Sequence, residues 1–395
     1  LIFDPYSDDV RREPYPWYRE LLENEPLHKG AHDLWYAARY SDVREIMADP
    51  RFGRGEFRTN KLAVQGPGPL SEVTAHTLFY LDPPDHGRLH GLVKGAISPR
   101  VIRELQPLMH SLVEQMLEAA GDSEMDVIAE LAQPFPLRII GELMGMPVED
   151  LDRMHEWGVA LDETTDPVLD PTAVARGHAR MGEYIDYMRR LLTERRQHPG
   201  EDLLSRLLQS EPDEISEDEI IAMVMVLVNA GHETTTDLIG NGLLALMRHP
   251  AELRKLRDNP SLIRTAVEEC LRYDSPVQQN ARVVQADHIE VQGQPIPRGE
   301  IIVVLQGAAN HDPREFASPE KFDITRSPNR HVSFGRGMRF CVGAPLARME
   351  GAIALAAMVD RLEGIRLAVS DDQLRYAPSS LFHGVESLPV TYRKS

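Results

Sequence analysis

The chain has 395 residues, a formal net charge of −19 and two cysteines, Cys270 and Cys341. So acidic a balance offers no field for phosphate and excludes nucleic acid as a partner. Two cysteines cannot build a disulfide framework, which points to a reducing cytoplasm. No apolar run is long enough to span a bilayer. The start, L-I-F-D-P-Y-S-D-D, lacks a basic region followed by an apolar stretch, so neither signal peptide nor membrane anchor is expected.

Pro14 to Glu25 carries an amphipathic helical pattern and Leu34 to Arg39 reads as a strand. Ser41 is expected to cap a helix ending at Asp49-Pro50. Residues 53–80 lose periodicity at Gly53, Gly55, Gly66, Pro67, Gly68 and Pro69, and read as a long loop. In L-D-P-P-D-H-G-R-L-H, Leu81 to His90, the prolines open a helix that puts His86 and His90 on one face. Zinc would need a further ligand or an H-E-x-x-H pattern, and neither accompanies them; an ordinary surface pair is the plain alternative. Helical periodicity runs from Pro99 to about Gly145 with a break at Gly121 to Asp126. It returns over Pro147 to Ala160 and Pro171 to His198, and the acidic connector 161–172 reads as a solvated loop.

Ser216 to His249 predicts one long helix, opened by the capping box Ser216/Glu219 and ended by Pro250. Ile220 to Val228 is apolar at every position, the pattern of a helix buried all round. It then turns to A-G-H-E-T-T-T-D, Ala230 to Asp237, before Gly242 to Met247 is apolar again. Glycine and threonine are poor helix formers, and a buried polar group costs roughly 2–7 kcal/mol unless it is satisfied. The return of apolar sequence argues against a helix that simply emerges into water, so these groups are expected to have a use.

Ser261 to Tyr273 predicts a helix with Glu269 and Arg272 at i, i+3, a spacing common on any surface. Val277 to Leu305 alternates around V-Q-G-Q-P-I-P-R-G and reads as strand, turn, strand. Between Ile324 and Met349 no acidic residue occurs, while Arg326, Arg330, Arg336, Arg339 and Arg348 do, a local reversal of field in an acidic chain. Within that stretch, H-V-S-F-G-R-G-M-R-F-C-V-G-A-P-L-A-R-M-E sets Cys341 in a glycine-rich turn leading into a helix near Pro345. Gly335, Gly337 and Gly343 allow φ > 0 and close backbone approach. The helix N-terminus, Arg336 and Arg339 should lower the thiol pKa. A lone cysteine is more often a small buried residue, but this setting suits a sulfur held as an anion by a metal.

Phe334, Gly335, Gly337, Arg339, Cys341 and Gly343 resemble, position by position, the cysteine-ligand loop of the cytochrome P-450 family, Phe-Gly-x-Gly-x-His/Arg-x-Cys-x-Gly. The resemblance implies haem b with Cys341 as axial thiolate, which favours O–O cleavage, and Arg339 on a haem propionate. Ala230, Gly231, Glu233, Thr234 and Thr235 match the family's Ala/Gly-Gly-x-Asp/Glu-Thr-Thr/Ser. That match implies a widened turn holding O₂, with Thr234 hydrogen-bonding it and Glu233 relaying protons from solvent. His86 matches the propionate ligand of D-P-P-x-H-x-x-x-R, while His90 stands where arginine is usual. Arg282 matches a further propionate arginine. Glu269 and Arg272 match the structural Glu-x-x-Arg pair, with His331 expected as its third member. Residues 53–80 and 161–172 would cover the substrate pocket.

These matches imply one mainly α domain over 1–395 with a small β region, the cytochrome P-450 fold. They imply a monooxygenase inserting one atom of O₂ into a small organic molecule, with a bulky apolar polyketide, macrolide or terpenoid expected. A peroxide-driven or oxidative-coupling enzyme and a non-catalytic haem sensor are the alternatives. The pairing of Glu233 with Thr234 favours O₂ activation. No G-x-G-x-x-G follows a strand, so electrons are expected from a ferredoxin and its NAD(P)H-dependent reductase. The basic stretch is expected to face that acidic partner. A cytoplasmic monomer with no membrane or nucleic-acid partner completes the expectation.

Overall fold

A computed structural model describes residues 3–164, 170–210 and 214–394. Within the expected connector 161–172, residues 165–169 lie outside the described ones; Leu161 and Asp162 end one helix and Pro171 opens the next. By internal contact the chain divides into two compact units. The first comprises Leu1–Phe52, Ile102–Pro136 and Glu233–Ser395, and the second Gly53–Val101 and Leu137–His232.

Most of the described residues are helical, and among them are ten short strands: β1 (Leu27–Lys29), β2 (Trp35–Ala37), β3 (Phe52–Gly53), β4 (Glu124–Asp126), β5 (Gln279–Val284), β6 (Ile289–Val291), β7 (Gln294–Ile296), β8 (Ile301–Leu305), β9 (Leu362–Leu367) and β10 (Pro389–Lys394). The largest sheet has the order β1-β2-β8-β5-β3. β2 and β8 pair in parallel with Trp35 opposite Ile302, and β5 runs antiparallel to β8 with Asn280 opposite Val304. Side chains alternate across a strand. Ile302 and Val304 therefore join a core with Val43 and Ile46 of the helix Tyr40–Ala48, while Val303 and Leu305 join Tyr18 and Leu21 of the helix Tyr15–Asn24. A smaller sheet has the order β4-β10-β9. The β6–β7 hairpin turns at Gln292 and Gly293, both at positive φ (53° and 75°), as a two-residue turn matching strand twist requires.

Ser41 does not cap the helix Tyr40–Ala48. The Tyr40 N–H donates to Asp312 Oδ2 at 3.0 Å, so the cap comes from far along the chain. Nor is 53–80 a loop. It holds the helices Gly55–Gln65 and Pro69–His76 and the 3₁₀ turn Leu78–Tyr80. Gly66 and Gly68, at φ 70° and 141°, make the tight break between the two helices, which only glycine accommodates easily. The N–H groups of Arg54 and Gly55 donate to the Asp82 carboxylate (2.6–3.0 Å), so the aspartate of D-P-P caps the first of these helices. In this second unit the helix Pro171–Gln197 packs on Pro69–His76, Leu151–Asp162 and Leu203–Leu208.

The helix Glu217–Arg248 is continuous. Its capping box is complete: Ser216 N–H donates to Glu219 Oε2 at 2.8 Å and Glu219 N–H to Ser216 Oγ at 3.2 Å. Ile220 through Val228 are all buried, and from Glu233 onward the helix belongs to the first unit.

Candidate active site

The polar segment of this helix does not emerge into solvent, since Thr235, Thr236 and Asp237 are all buried. Thr236 Oγ1 donates to Ala132 O at 3.0 Å, and the Thr235 side chain bonds Glu350, a buried acid on the helix Ala344–Arg361. Burial pushes the Glu350 carboxyl well above its ordinary pKa, against a smaller downward pull from Thr235. Two threonines thus serve packing. Glu233 is half-buried and its Oε2 has no hydrogen-bond partner; Thr234 beside it is also half-buried. Glu233 Oε2 is thus a polar atom of the insert that the surrounding fold leaves without a hydrogen bond. Asp237 follows one turn after Glu233, and its pKa is raised well above normal by burial, then by Glu233 and Asp274.

In the same unit, the turn Phe334 to Gly343 shapes itself around the sulfur. Cys341 N–H donates to Phe334 O at 3.0 Å and Gly335 N–H to Val332 O at 2.8 Å. Gly335 and Gly337 both sit at φ 70°. A Cβ on Gly337 would also lie 3.0 Å from Ala48 Cα, so that position is closed to other residues twice over. Gly343 differs: its φ is −80°, and a Cβ there would meet Sγ only at an ordinary contact distance of 3.8 Å, so neither backbone nor space demands glycine. Cys341 keeps an exposed surface, whereas Cys270 is buried.

The thiol pKa of Cys341 is raised, not lowered as the sequence suggested. Protein packed around the sulfur dominates, while the N–H groups of Gly343 and Ala344 and the charge of Arg348 pull it back. Arg348, rather than Arg336 or Arg339, is the charge acting on this sulfur. Its guanidinium also lies 4.5 Å over the Phe334 ring.

Glu269 and Arg272 are fully buried and doubly bonded, both N–H···O distances being 2.8 Å. The third member is not His331. Arg326 Nε reaches both Glu269 oxygens (3.1 and 3.2 Å), and Asn329 Nδ2 donates at 3.1 Å. His331 turns to the preceding acid, Glu268 Oε2 at 3.0 Å, which Arg348 also grips at 2.6 and 3.0 Å. Consecutive acids thus brace the cysteine turn from two sides. Arg272 Nη1 adds bonds to the carbonyls of Asn310 and Pro319. The second brace was open to inference from E-E-C-L-R, where the first glutamate stands four residues before Arg272.

Arg282 is buried on β5, with Nη1 donating to Asn280 Oδ1 (2.6 Å) and Ala281 O (2.8 Å). Arg339 is half-buried in the 3₁₀ turn Gly337–Arg339. In the second unit His86 and His90 stack at 5.4 Å, and His90 Nε2 is buried without a hydrogen-bond partner. Arg88 between them is not a substitute for the missing arginine. Its guanidinium is taken by Glu219, at 2.6 and 3.3 Å, and by Asp85 at 3.1 Å.

An accessible sulfur met by two backbone N–H groups fits a metal thiolate, and no cluster of His, Cys, Asp or Glu among the described residues competes for a metal. No helix among the described residues is long and apolar enough to cross a membrane.

The family model "Cytochrome P450" matches residues 154–375. The crystal structure of CalO2 superposes with a TM-score of 0.96 at 42% identity, covering 100% of this chain and 99% of that one. P450BioI, in complex with acyl carrier protein ligated to hexadec-9Z-enoic acid, gives 0.91 at 37% identity over 98% and 99%. The polyketide biosynthesis cytochrome P450 PksS of Bacillus subtilis (strain 168) is 36% identical over 100% of this chain and 99% of its own length. Fold, sulfur turn and relatives agree: the chain belongs to the cytochrome P450 family and is a haem-thiolate monooxygenase.

Proposed function

We propose that Cys341 is the thiolate ligand of the haem and that Glu233 and Thr234 deliver protons during oxygen activation, with the whole of 1–395 acting as one catalytic domain. The observation that carries the first assignment is accessibility: of the two cysteines, Cys341 alone is an exposed residue, and the N–H groups of Gly343 and Ala344 act on its sulfur. Cys270 lies between Glu269 and Leu271 in a buried helix face, with its pKa pushed far up by burial. When bound, the haem supplies O₂ binding and O–O cleavage, with electron density from sulfur favouring the latter.

The chain's own residues supply position and protons. Arg282, Arg339, His86 and His90 would hold the carboxylates of the haem, and the orphaned Nε2 of His90 is suited to one such hydrogen bond. Thr234 orients dioxygen, and Glu233 passes protons to it by positioned acid–base transfer. The overall stoichiometry is RH + O₂ + 2e⁻ + 2H⁺ giving ROH + H₂O. Each turnover therefore needs two protons at one place and none lost elsewhere. Phe334, Gly335 and Ala230 shape the backbone beside these groups rather than reacting.

A bulky apolar substrate of the polyketide class is supported by the likeness to PksS, and P450BioI adds the option of an acyl chain presented on a carrier protein. Electrons would come from a ferredoxin and its NAD(P)H-dependent reductase. Arg326 and Arg348 are tied to Glu269 and Glu268, but Arg330 and Arg336 are exposed, as are the large apolar side chains Met338 and Phe340 next to Cys341. Such a basic rim with an apolar centre suits a small acidic protein. Charge reversal at Arg336 should lower the reduction rate and its salt dependence; no change removes this docking face.

The ferrous carbonyl complex should show the red-shifted Soret band of a thiolate haem, and Cys341→Ser should lose it. A normal band in that variant would overturn the ligand assignment. Thr234→Ala should keep consuming O₂ while releasing peroxide, and unchanged coupling would exclude the relay.

A further inference from the structure

Beyond Glu233 the buried polar groups continue in one direction. Glu233, Asp237 and Asn241 recur every four residues, so they form a stripe on one face of the helix Glu217–Arg248. A buried helix has no packing reason for such a stripe. Asp237 presses on the backbone at Gly384, where a Cβ would overlap its Oδ1, and Asn241 Nδ2 donates to His383 O at 2.7 Å. Glycine at 384 therefore makes room for this carboxyl. His383 Nδ1 meets Asp274 Oδ1 at 2.9 Å, and the Tyr15 hydroxyl donates to the same oxygen at 2.7 Å. Tyr15 and His311, whose rings lie 4.5 Å apart, form part of the wall of a cleft of about 230 Å³ that Arg19, Glu23, Arg314 and Glu320 also line. Asn241 Oδ1 is buried without a hydrogen-bond partner in a residue more than nine-tenths buried, and the His383 ring also reaches the Arg12 backbone.

We propose that Asp237 is a positioning residue of a second proton entry, in which protons pass from the cleft beside Tyr15 through the Tyr15–Asp274–His383 cluster and bridging water to Asp237 and on to Glu233. This rests on the reading of Glu233 and Thr234 as the proton-delivering pair. The orphaned Asn241 Oδ1 and the Asp237 carboxyl give water two of the polar partners it needs to persist in a buried site. The groups facing Asp237 are Glu233 on its own helix and Asp274, paired with His383 and Tyr15, across from it. Both acids repel negative charge at Asp237, and burial acts the same way, so the carboxyl is held as the neutral acid and has a proton to give.

The test uses Asp237→Asn and Tyr15→Phe beside Thr234→Ala in the intact enzyme. Infrared difference spectra between H₂O and D₂O should show a carboxylic acid band, in both haem-free and haem-bound protein, that Asp237→Asn removes. In turnover, Asp237→Asn should lower product formed per O₂, raise peroxide release and change the solvent isotope effect. The expected loss of coupled rate is about tenfold, less than the roughly 10²–10⁴-fold of the group that delivers the proton to the reacting oxygen. Tyr15→Phe, at the outer end, should move the same quantities in the same direction. If Asp237→Asn does not fold, Tyr15→Phe with unchanged coupling and isotope effect overturns the proposal. Absence of the infrared band overturns it as well. Uncoupling by Thr234→Ala alone, with both other variants normal, leaves the Glu233–Thr234 reading standing and removes this route.

Discussion

Replacing Glu269 with glutamine should be among the costliest single changes in the chain. The carboxylate accepts from Arg272 Nε and Nη2 at 2.8 Å, from the Asp323 N–H at 2.9 Å, from Arg326 at 3.1 and 3.2 Å and from Asn329 at 3.1 Å. Every one of these partners is a donor. An amide would turn its own NH₂ toward donors, lose the bonds on that side, and leave Arg272 as an uncompensated charge with neither partner exposed at all. Breaking a buried pair by removing one member costs about 3–5 kcal/mol, against a total stability for a domain of about 5–15 kcal/mol. Three backbone carbonyls, of Asn310, Pro319 and Lys321, still hold Arg272, which sets the effect toward the lower end of that range. The measurement is urea unfolding of the haem-free chain followed by tryptophan fluorescence, with Glu363→Gln as the control. Glu363 pairs with Arg393 at 3.3 Å on the surface, where both side chains are more than half exposed, and such pairs contribute about 0–1 kcal/mol. If Glu269→Gln shifts the unfolding midpoint no more than Glu363→Gln, the bracing role assigned to this pair is wrong.

Other changes have defined outcomes. Burial raises the Glu268 carboxyl, but hydrogen bonds from His331 and Arg348 outweigh it and hold the pKa down at about 2. Its contribution to stability, up to about 3 kcal/mol, is therefore complete above the ordinary carboxylate range and lost as pH falls from about 4.5 through about 2. Glu268→Gln should flatten acid unfolding across that window, and an unchanged acid limb would contradict the pairing. Asp312→Ala removes the cap on the Tyr40 N–H and should cost about 1 kcal/mol in thermal or urea unfolding. Gly337→Ala forces a side chain into φ 70° and against Ala48, a strain of about 1–3 kcal/mol. It should lower the haem content of purified protein, measured by absorbance per chain, more than Gly364→Ala, whose φ is 67° but whose Cβ would meet open space.

What could be read ahead of the structure was local. The Ser216 capping box, the apolar run after it and the glycines before Cys341 each depend on neighbours within a turn or two, and the chain folds there as its pattern predicts. The polar interruption at Ala230 to Asp237 was legible as an anomaly, but not which groups it spent on packing: Thr235 and Thr236 find partners on Glu350 and Ala132, far away in sequence. The same limit explains Ser41. A serine before a helix is a sound cap by propensity, yet Asp312 arrives from another part of the chain and takes the position. Residues 53–80 misled for a different reason. Glycine and proline mark a break in regular structure without saying whether one residue or twenty follow it, and here the break is one tight turn between two helices. His331 meets Glu268 rather than the adjacent Glu269 because consecutive helical residues point about 100° apart, and only the packing around the helix decides which acid the imidazole reaches.

The contrast between the two thiols has a practical use. Alkylating reagents need a sulfur they can touch, and Cys270, buried and held protonated, offers none. Iron and the reagent compete for the remaining sulfur. The fraction of native protein that takes up one label therefore counts the molecules lacking prosthetic group, and wild-type material carries its own gauge of cofactor loading.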